Sequence, residues 1–185
     1  MRSTSASSGA PNKHREIETP SPWVTRWAAL VERGPVLEVA CGAGRHARLF
    51  AARGLDVVAV DRDEQHIPGV RFVQADLEDG PWPFGTERFA AIVVTNYLHR
   101  PLFARLEAAL AEGGVLIYET FMVGNEKYGR PGNPAFLLRP AELLQAFRGL
   151  TPIAFEQGYA DAPKPAMIQR LCARRGHIGS ARIAA

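Results

Sequence analysis

The stretch VLEVACGAGRHARLFAARG, residues 36–54, gathers the chain's most suggestive chemistry. An apolar run carrying one acid, Glu38, breaks at Gly42 and Gly44 and resumes as a basic amphipathic segment. Glycines between a strand and a helix permit positive φ and let a ligand approach the backbone. A phosphate cradle of the Walker type needs a lysine and a hydroxyl residue after its last glycine, whereas Arg45 and His46 stand there. A dinucleotide fits GAGRHA loosely. Glu38, just before the turn, is a poor neighbour for a pyrophosphate and suits a ligand with a cationic group. A structural alternative pairs Glu38 with a helix arginine, Arg45 or Arg48. Further along, Asp61 and Asp76 close later apolar runs, and TNYLH brings together Asn96, Tyr97 and His99. If an acceptor has to lose a proton, His99 is the first candidate base, with Tyr97 and Glu119 behind it. Cys41 has no charge partner in sequence to lower its pKa and reads as a small packed residue. The five histidines lack metal-ligand spacing.

These residues need a scaffold that brings strand ends together. Short apolar runs at 36–40, 56–61, 70–76, 89–96 and 115–121 read as strands buried on both faces. Helical patterns fall at 21–34 (Ser21 as cap, Pro22 in the first turn, Trp23, Trp27, Leu30 and Val31 on one face), 45–53, 102–114 and 140–149. Strands alternating with helices predict a mostly parallel sheet under right-handed crossovers. The last two runs, PIAFEQGY and PAMIQRLCARR, are joined only by ADAPK, too short for a parallel crossover and suited to an antiparallel hairpin. RDEQHIPG holds one helical turn at most, and LEDGPWPFGTER holds none; its aromatics read as a plug at the sheet edge. The expected fold is therefore α/β, a Rossmann-like doubly wound sheet of seven strands, mostly parallel with a C-terminal antiparallel hairpin. In such sheets ligands bind at the carboxyl ends of the strands, where strand order reverses. The 36–40 strand is the natural switch point.

The chain has 185 residues, 46% hydrophobic and 22% charged, which suits one globular domain with a full core. Residues 1–20 read as a polar disordered tail, 21–175 as the single domain and 176–185 as a second tail. No apolar run reaches the length of a membrane span, and MRSTSASSGAPNKHRE lacks the apolar core of a secretory signal. Cys41 and Cys172 make no disulfide framework, so a reducing, cytoplasmic setting is expected. A net charge of +3 does not by itself argue for nucleic acid.

Taken together, LEVACGAGRHARLFAARG, VVAVDRD, VRFVQADLED, FAAIVVTNYLH and GGVLIYETF, in that order and spacing, resemble a class I S-adenosylmethionine-dependent methyltransferase over about residues 36–174. Within that group the chain is most similar to small stand-alone bacterial enzymes of the tellurite-resistance type. The resemblance implies S-adenosyl-L-methionine as cofactor. It places the amino-acid end against Glu38 and the turn of Ala40, Cys41, Gly42 and Gly44, and the ribose hydroxyls on Asp61, beside Arg62. It places the adenine amine on Asp76 with the Leu77 amide at a ring nitrogen, and the transferring methyl beside Asn96. Asp61 could also cap the turn after it, and Asp76 could be a turn acid only. One departure matters: Ala40 stands where the family has its first turn glycine, which is tolerated where φ is negative.

The acceptor is poorly encoded. TNYLH occupies the place of the Asn-Pro-Pro-Tyr motif of amino-group methyltransferases of nucleic acids and proteins, so a small-molecule or soft nucleophilic acceptor is the leading reading and RNA or protein the alternative. An inert S-adenosylmethionine-binding module also remains open. A nicotinamide-dependent oxidoreductase needs a second domain that this length does not provide. Residues 122–140, carrying Gly124, Gly129 and Gly132, are expected to form an acceptor-side lid lined by Tyr128, Arg130 and Arg139. Two arginines suit an anionic group. Alternatively, one of them pairs with Glu119 or Glu126 and pins the loop.

Overall fold

A computed structural model describes residues 19–177; both expected tails fall mainly outside them. Seven strands form one sheet in the order β3-β2-β1-β4-β5-β7-β6. β1 (Val36–Val39), β2 (Val57–Asp61), β3 (Arg71–Gln74), β4 (Phe89–Thr95) and β5 (Leu110–Phe121) are parallel, while β6 (Thr151–Ala160) and β7 (Ala166–Arg174) add antiparallel. The expected hairpin and switch point are thus present: β1 lies between β2 and β4. Among the described residues four short α-helices accompany the sheet: α1 (Pro22–Trp27), α2 (Arg45–Ala51), α3 (Phe103–Ala109) and α4 (Glu142–Ala146).

Strand alternation splits the core in two. Val36, Val93 and Ile117 pack with Trp23 and Trp27 of α1 and Phe50 of α2. Leu37, Ile92 and Leu116 pack with Leu106 of α3, Leu143 of α4 and Phe147. At six residues, α1 is far below the length at which a helix persists alone. Burial holds it: Trp23 is 3% exposed and Trp27 fully buried, and burying a large apolar side chain contributes about 1.5–3 kcal/mol. The Ser21 hydroxyl caps it by accepting from Trp23 N.

Several boundaries differ from the sequence expectation. The first helix stops at Trp27 and tightens into a 3-10 turn over Ala28–Leu30. Val31 is then extended and buried against the sheet, so packing replaces the last helical turn. The 102–114 helix ends at Ala109, and residues from Leu110 onward join β5. There Gly113 N donates to Arg175 O and Arg175 N to Gly114 O, while the Arg175 guanidinium caps the carbonyl of Glu107 at the helix end. Strand partners thus outcompete helical propensity. The 140–149 helix shrinks to α4 because Ala141 takes φ +56. Trp82 and Phe84 pack edge-to-face, and Phe84 does the same on Phe89, the plug expected of that segment.

Candidate active site

The turn after β1 meets the end of β2. Ala40, Gly42 and Gly44 have φ of +51, +50 and +71. Gly44 is required twice over, since a Cβ there would sit 2.3 Å from Ile67 Cδ1. A Cβ on Gly42 would meet nothing within 4 Å, so the turn faces open space. Ala40 departs from expectation: its φ is positive, a conformation that costs an L-residue about 1–2 kcal/mol. Bonds from Cys41 N to Val60 O (3.0 Å) and Gly44 N to Cys41 O (2.9 Å) hold the turn in place.

Asp61 ties this turn to the neighbouring strand. Its Oδ2 accepts from Gly42 N at 2.8 Å and its Oδ1 from Asp63 N at 3.1 Å. No helix follows it to be capped. Each carboxylate oxygen has a further lone pair, so the half-buried Asp61 still has acceptor capacity. Arg62 projects outward with 75% of its side chain exposed, 4.0 Å from Asp63. One strand further on, Asp76 Oδ1 accepts from Glu78 N (2.9 Å) and Asp79 N (3.4 Å), and Leu77 beside it is buried. Across the gap stands Tyr97. Burial, then the adjacent Glu78 with its hydrogen bond, and then Asp76 and Asp61 push its phenol well above the usual range. Tyr97 therefore stays protonated and is a donor rather than a base. Asn96, at φ +55, is exposed at the end of β4 and its backbone N–H donates to Glu119 O at 2.9 Å. The half-buried ring of His99 has no hydrogen-bond partner among the described residues. Cys41 is buried, and burial, then Glu38 and Asp61, push its thiol up to about 12, which leaves it inert.

Glu38 is placed differently from both sequence readings. It is 2% exposed. Its Oε1 is 2.9 Å from His46 Nδ1 and its Oε2 accepts from Ala47 N at 2.7 Å. Both oxygens are used inside the protein, and neither Arg45 nor Arg48 is the partner: Arg45 donates to Thr19 O (3.2 Å) and Arg48 to Ala43 O. Glu119 is likewise committed, accepting from the Ser21 hydroxyl at 2.7 Å and from Arg170, and has no part as a base.

Residues 122–140 leave β5 at this same edge but are folded against it. Met122 bridges Leu138, 3-10 turns form at Asn125–Lys127 and Pro134–Phe136, and Asn125, Leu137 and Leu138 are buried. Arg100, which the sequence reading passed over, clamps the segment. It donates to Glu142 (2.6 and 3.0 Å), Ala135 O (2.7 Å) and Leu137 O (2.9 Å). A cation opening a helical turn is unfavourable to the backbone dipole, and that was the available signal. Of the lid candidates, Tyr128 packs on Tyr159 with the rings tilted by 45° and centroids 5.1 Å apart, and Arg130 is exposed. Arg139 is 77% exposed, 4.0 Å from Glu142. Glu126 instead accepts from Gly124 N at 2.8 Å, so neither arginine takes the partners expected of a pin.

Two surface grooves of about 530 Å³ lie elsewhere, one beside α3 and one under the start of β2; neither includes the glycine turn. Among the described residues no three His, Cys, Asp or Glu side chains are grouped to hold a metal ion, and no helix is long and apolar enough to cross a membrane.

Residues 36–114 match the family model described as a methyltransferase domain. No curated protein matches the chain in sequence. Among solved structures, TehB from Haemophilus influenzae superposes with TM-score 0.69 at 15% identity, covering 83% of this chain and 61% of that one. A 1,6-didemethyltoxoflavin-N1-methyltransferase from Burkholderia thailandensis, solved with its substrate and S-adenosylhomocysteine, gives 0.60 at 22% identity over 84% and 76%. An S-adenosylmethionine-dependent methyltransferase from Mesorhizobium loti gives 0.61 at 19% identity over 81% and 97%. The chain thus spans less than two thirds of the length of TehB.

Proposed function

We propose that this chain, whose residues 36–114 match a methyltransferase-domain model and whose fold superposes on S-adenosylmethionine-dependent methyltransferases, transfers a methyl group from S-adenosylmethionine to a small-molecule or soft nucleophilic acceptor. The observation that carries the cofactor reading is the row of acceptors at the carboxyl edge. Gly42 presents open space, Asp61 sits against its amide, and exposed Asp76 follows one strand on. That spacing suits a ribose flanked by an amino acid on one side and a purine on the other.

The bound cofactor supplies a methyl carbon already activated by its sulfonium. Asp61 accepts the ribose hydroxyls, with Arg62 beside it. Asp76 accepts the adenine amine while the Leu77 amide donates to the ring. The backbone of Ala40, Cys41, Gly42 and Gly44 meets the amino-acid end. Glu38 acts from beneath, by fixing that turn rather than touching the ligand. Asn96 borders the transferring methyl. Alignment of acceptor and methyl in such a site can supply up to about 7–11 kcal/mol of the barrier. Where the acceptor carries a proton, His99 takes it on a ring nitrogen that none of the described residues occupies, and Tyr97, its proton held by Glu78, orients the acceptor through its ring and phenol oxygen. Tyr128, Arg130 and Arg139 line the acceptor side, where the exposed guanidinium groups suit an anionic substituent. Residues 21–175 form the functional unit, acting inside the cell.

Incubating the protein with methyl-labelled S-adenosylmethionine and a fractionated cell extract tests this reading. Label appearing in the small-molecule fraction supports it. Label confined to RNA or protein overturns the acceptor class, and no transfer to any fraction overturns the activity.

A further inference from the structure

We propose that His46 is a positioning residue that makes seating of the N-terminal helix and binding of S-adenosylmethionine one coupled event, its neutral ring tying Ser21, the cap of α1, to Glu38, the acid beneath the cofactor turn. The inference rests on the cofactor reading above.

The link is a continuous buried chain of hydrogen bonds. Ser21 N donates to His46 Nε2 at 3.1 Å, and His46 Nδ1 stands 2.9 Å from Glu38 Oε1. His46 is fully buried, Ser21 5% and Glu38 2% exposed. A backbone amide only donates, so Nε2 presents its lone pair to Ser21 and the ring proton is on Nδ1, where it donates to Glu38. One neutral tautomer satisfies both ends, and neither end is satisfied by the other tautomer.

Ser21 is an uncommonly committed residue. Besides its bond to His46, its hydroxyl donates to Glu119 Oε1 at 2.7 Å and accepts from Trp23 N at 3.1 Å, and its carbonyl accepts from Thr25 N at 2.9 Å. Glu119 pairs in register with Thr95, and Asn96 N donates to Glu119 O. The cap of α1 therefore spans from the first turn of α2, beside the glycines, to the ends of β4 and β5. Arg170 completes the chain, holding Glu119 and, at 3.1 Å, Glu156, with its guanidinium 5.8 Å from the Trp23 ring.

Glu38 acts on a ligand only through what it holds, because it is 2% exposed, with His46 and Ala47 N against its two oxygens. It lies two residues before Ala40, whose left-handed backbone needs external support. Unseating α1 strips His46 of its Nε2 partner, loosens the start of α2, and frees Glu38 to leave the geometry that shapes the turn. A ligand that prefers the shaped turn must then favour the seated helix by the same factor, since coupling between two equilibria is reciprocal.

Hydrogen exchange over residues 22–31 of the full chain, with and without saturating S-adenosylhomocysteine, reads the coupling. Calorimetry on the same samples reads affinity. In wild type the ligand is expected to slow α1 exchange by about tenfold. His46→Asn keeps an amide donor for Glu38 and loses the acceptor for Ser21; it is expected to lose the ligand-dependent slowing and a matching factor in affinity. Ser21→Ala keeps the backbone bond to His46; its α1 exchanges faster without ligand yet still slows on binding. Ligand binding to wild type with no change in α1 exchange overturns the coupling and leaves the cofactor reading intact. So does a His46→Asn chain that responds like wild type. Wild type alone decides if that variant does not fold, and absence of binding by wild type overturns the cofactor reading and this inference together.

Discussion

The two halves of the carboxyl edge are built on opposite plans. On the β1–β2–β3 side the acids that close β2 and β3 are open: Asp61 and Asp76 spend bonds only on nearby backbone amides, while Glu38 within β1 is buried on His46 and Ala47 N. On the β4–β5–β7 side they are consumed: Glu119 by Ser21 and Arg170, and Glu142 by Arg100 and Arg139 N. The first half leaves acceptors accessible to solvent, and the second uses ion pairs to hold long segments still. A carboxylate near a methyltransferase site is thus informative only once its partners are counted.

Removing an acid from the open half should cost the most in binding. Asp61→Ala deletes the proposed charged acceptor for the ribose and the partner of Gly42 N. At about 1.5–3 kcal/mol for a hydrogen bond to a charged group, S-adenosylhomocysteine affinity should fall tenfold or more by calorimetry. Unchanged affinity would reduce Asp61 to a turn support.

A break in the closed half should instead lower stability. Arg100→Ala leaves Glu142 and two carbonyls short of a donor and should cost about 1–3 kcal/mol, seen as a lower denaturant midpoint, with cofactor affinity held. Burial alone would raise the Glu142 carboxyl, but the hydrogen bonds from Arg100 and Arg139 N and the two charges bring it below its ordinary value. Its contribution is therefore complete above the ordinary carboxylate range and is lost as pH falls through the folded value. The gap between wild type and Arg100→Ala should narrow in acid; a gap independent of pH would remove the ion pair from the explanation.

A subtler effect belongs to Asp76. Inosine places a carbonyl oxygen where adenosine has its amine, so wild type should discriminate against the inosine analogue of S-adenosylhomocysteine, and Asp76→Asn should lose most of that discrimination. Equal binding of both analogues by wild type would take Asp76 out of the adenine site. Smallest of all, Arg130→Ala and Arg139→Ala should leave stability within about 0.5 kcal/mol, as exposed positions do. Cofactor affinity should hold while acceptor KM or kcat suffers. Full activity in both variants would make the 122–140 segment scaffold.

The same contrast explains what could be read from the sequence. Features encoded locally were legible: the glycine turn, the acids closing β2 and β3, the hairpin enforced by ADAPK, and Ser21 as the α1 cap. Even there the sign of φ at Ala40 was not, because it is set by the bonds of its neighbours to Val60 and within the turn. Missed features join distant segments. Ser21 meets Glu119, Arg100 meets Glu142, and Arg175 caps the end of α3; no periodicity reports such pairs. The sequence marks Glu38 as an acid suited to a cationic ligand or to Arg45 or Arg48, but its partner is His46, which stands between those arginines. An imidazole can be buried neutral, whereas a guanidinium resists burial.

Titration calorimetry of wild type with S-adenosylmethionine, S-adenosylhomocysteine and NAD tests the central claim most directly. Saturable one-site binding of the first two and no heat with NAD are expected. Binding of NAD without either sulfur nucleoside would contradict it, and with it the assignment of the open half as an S-adenosylmethionine site.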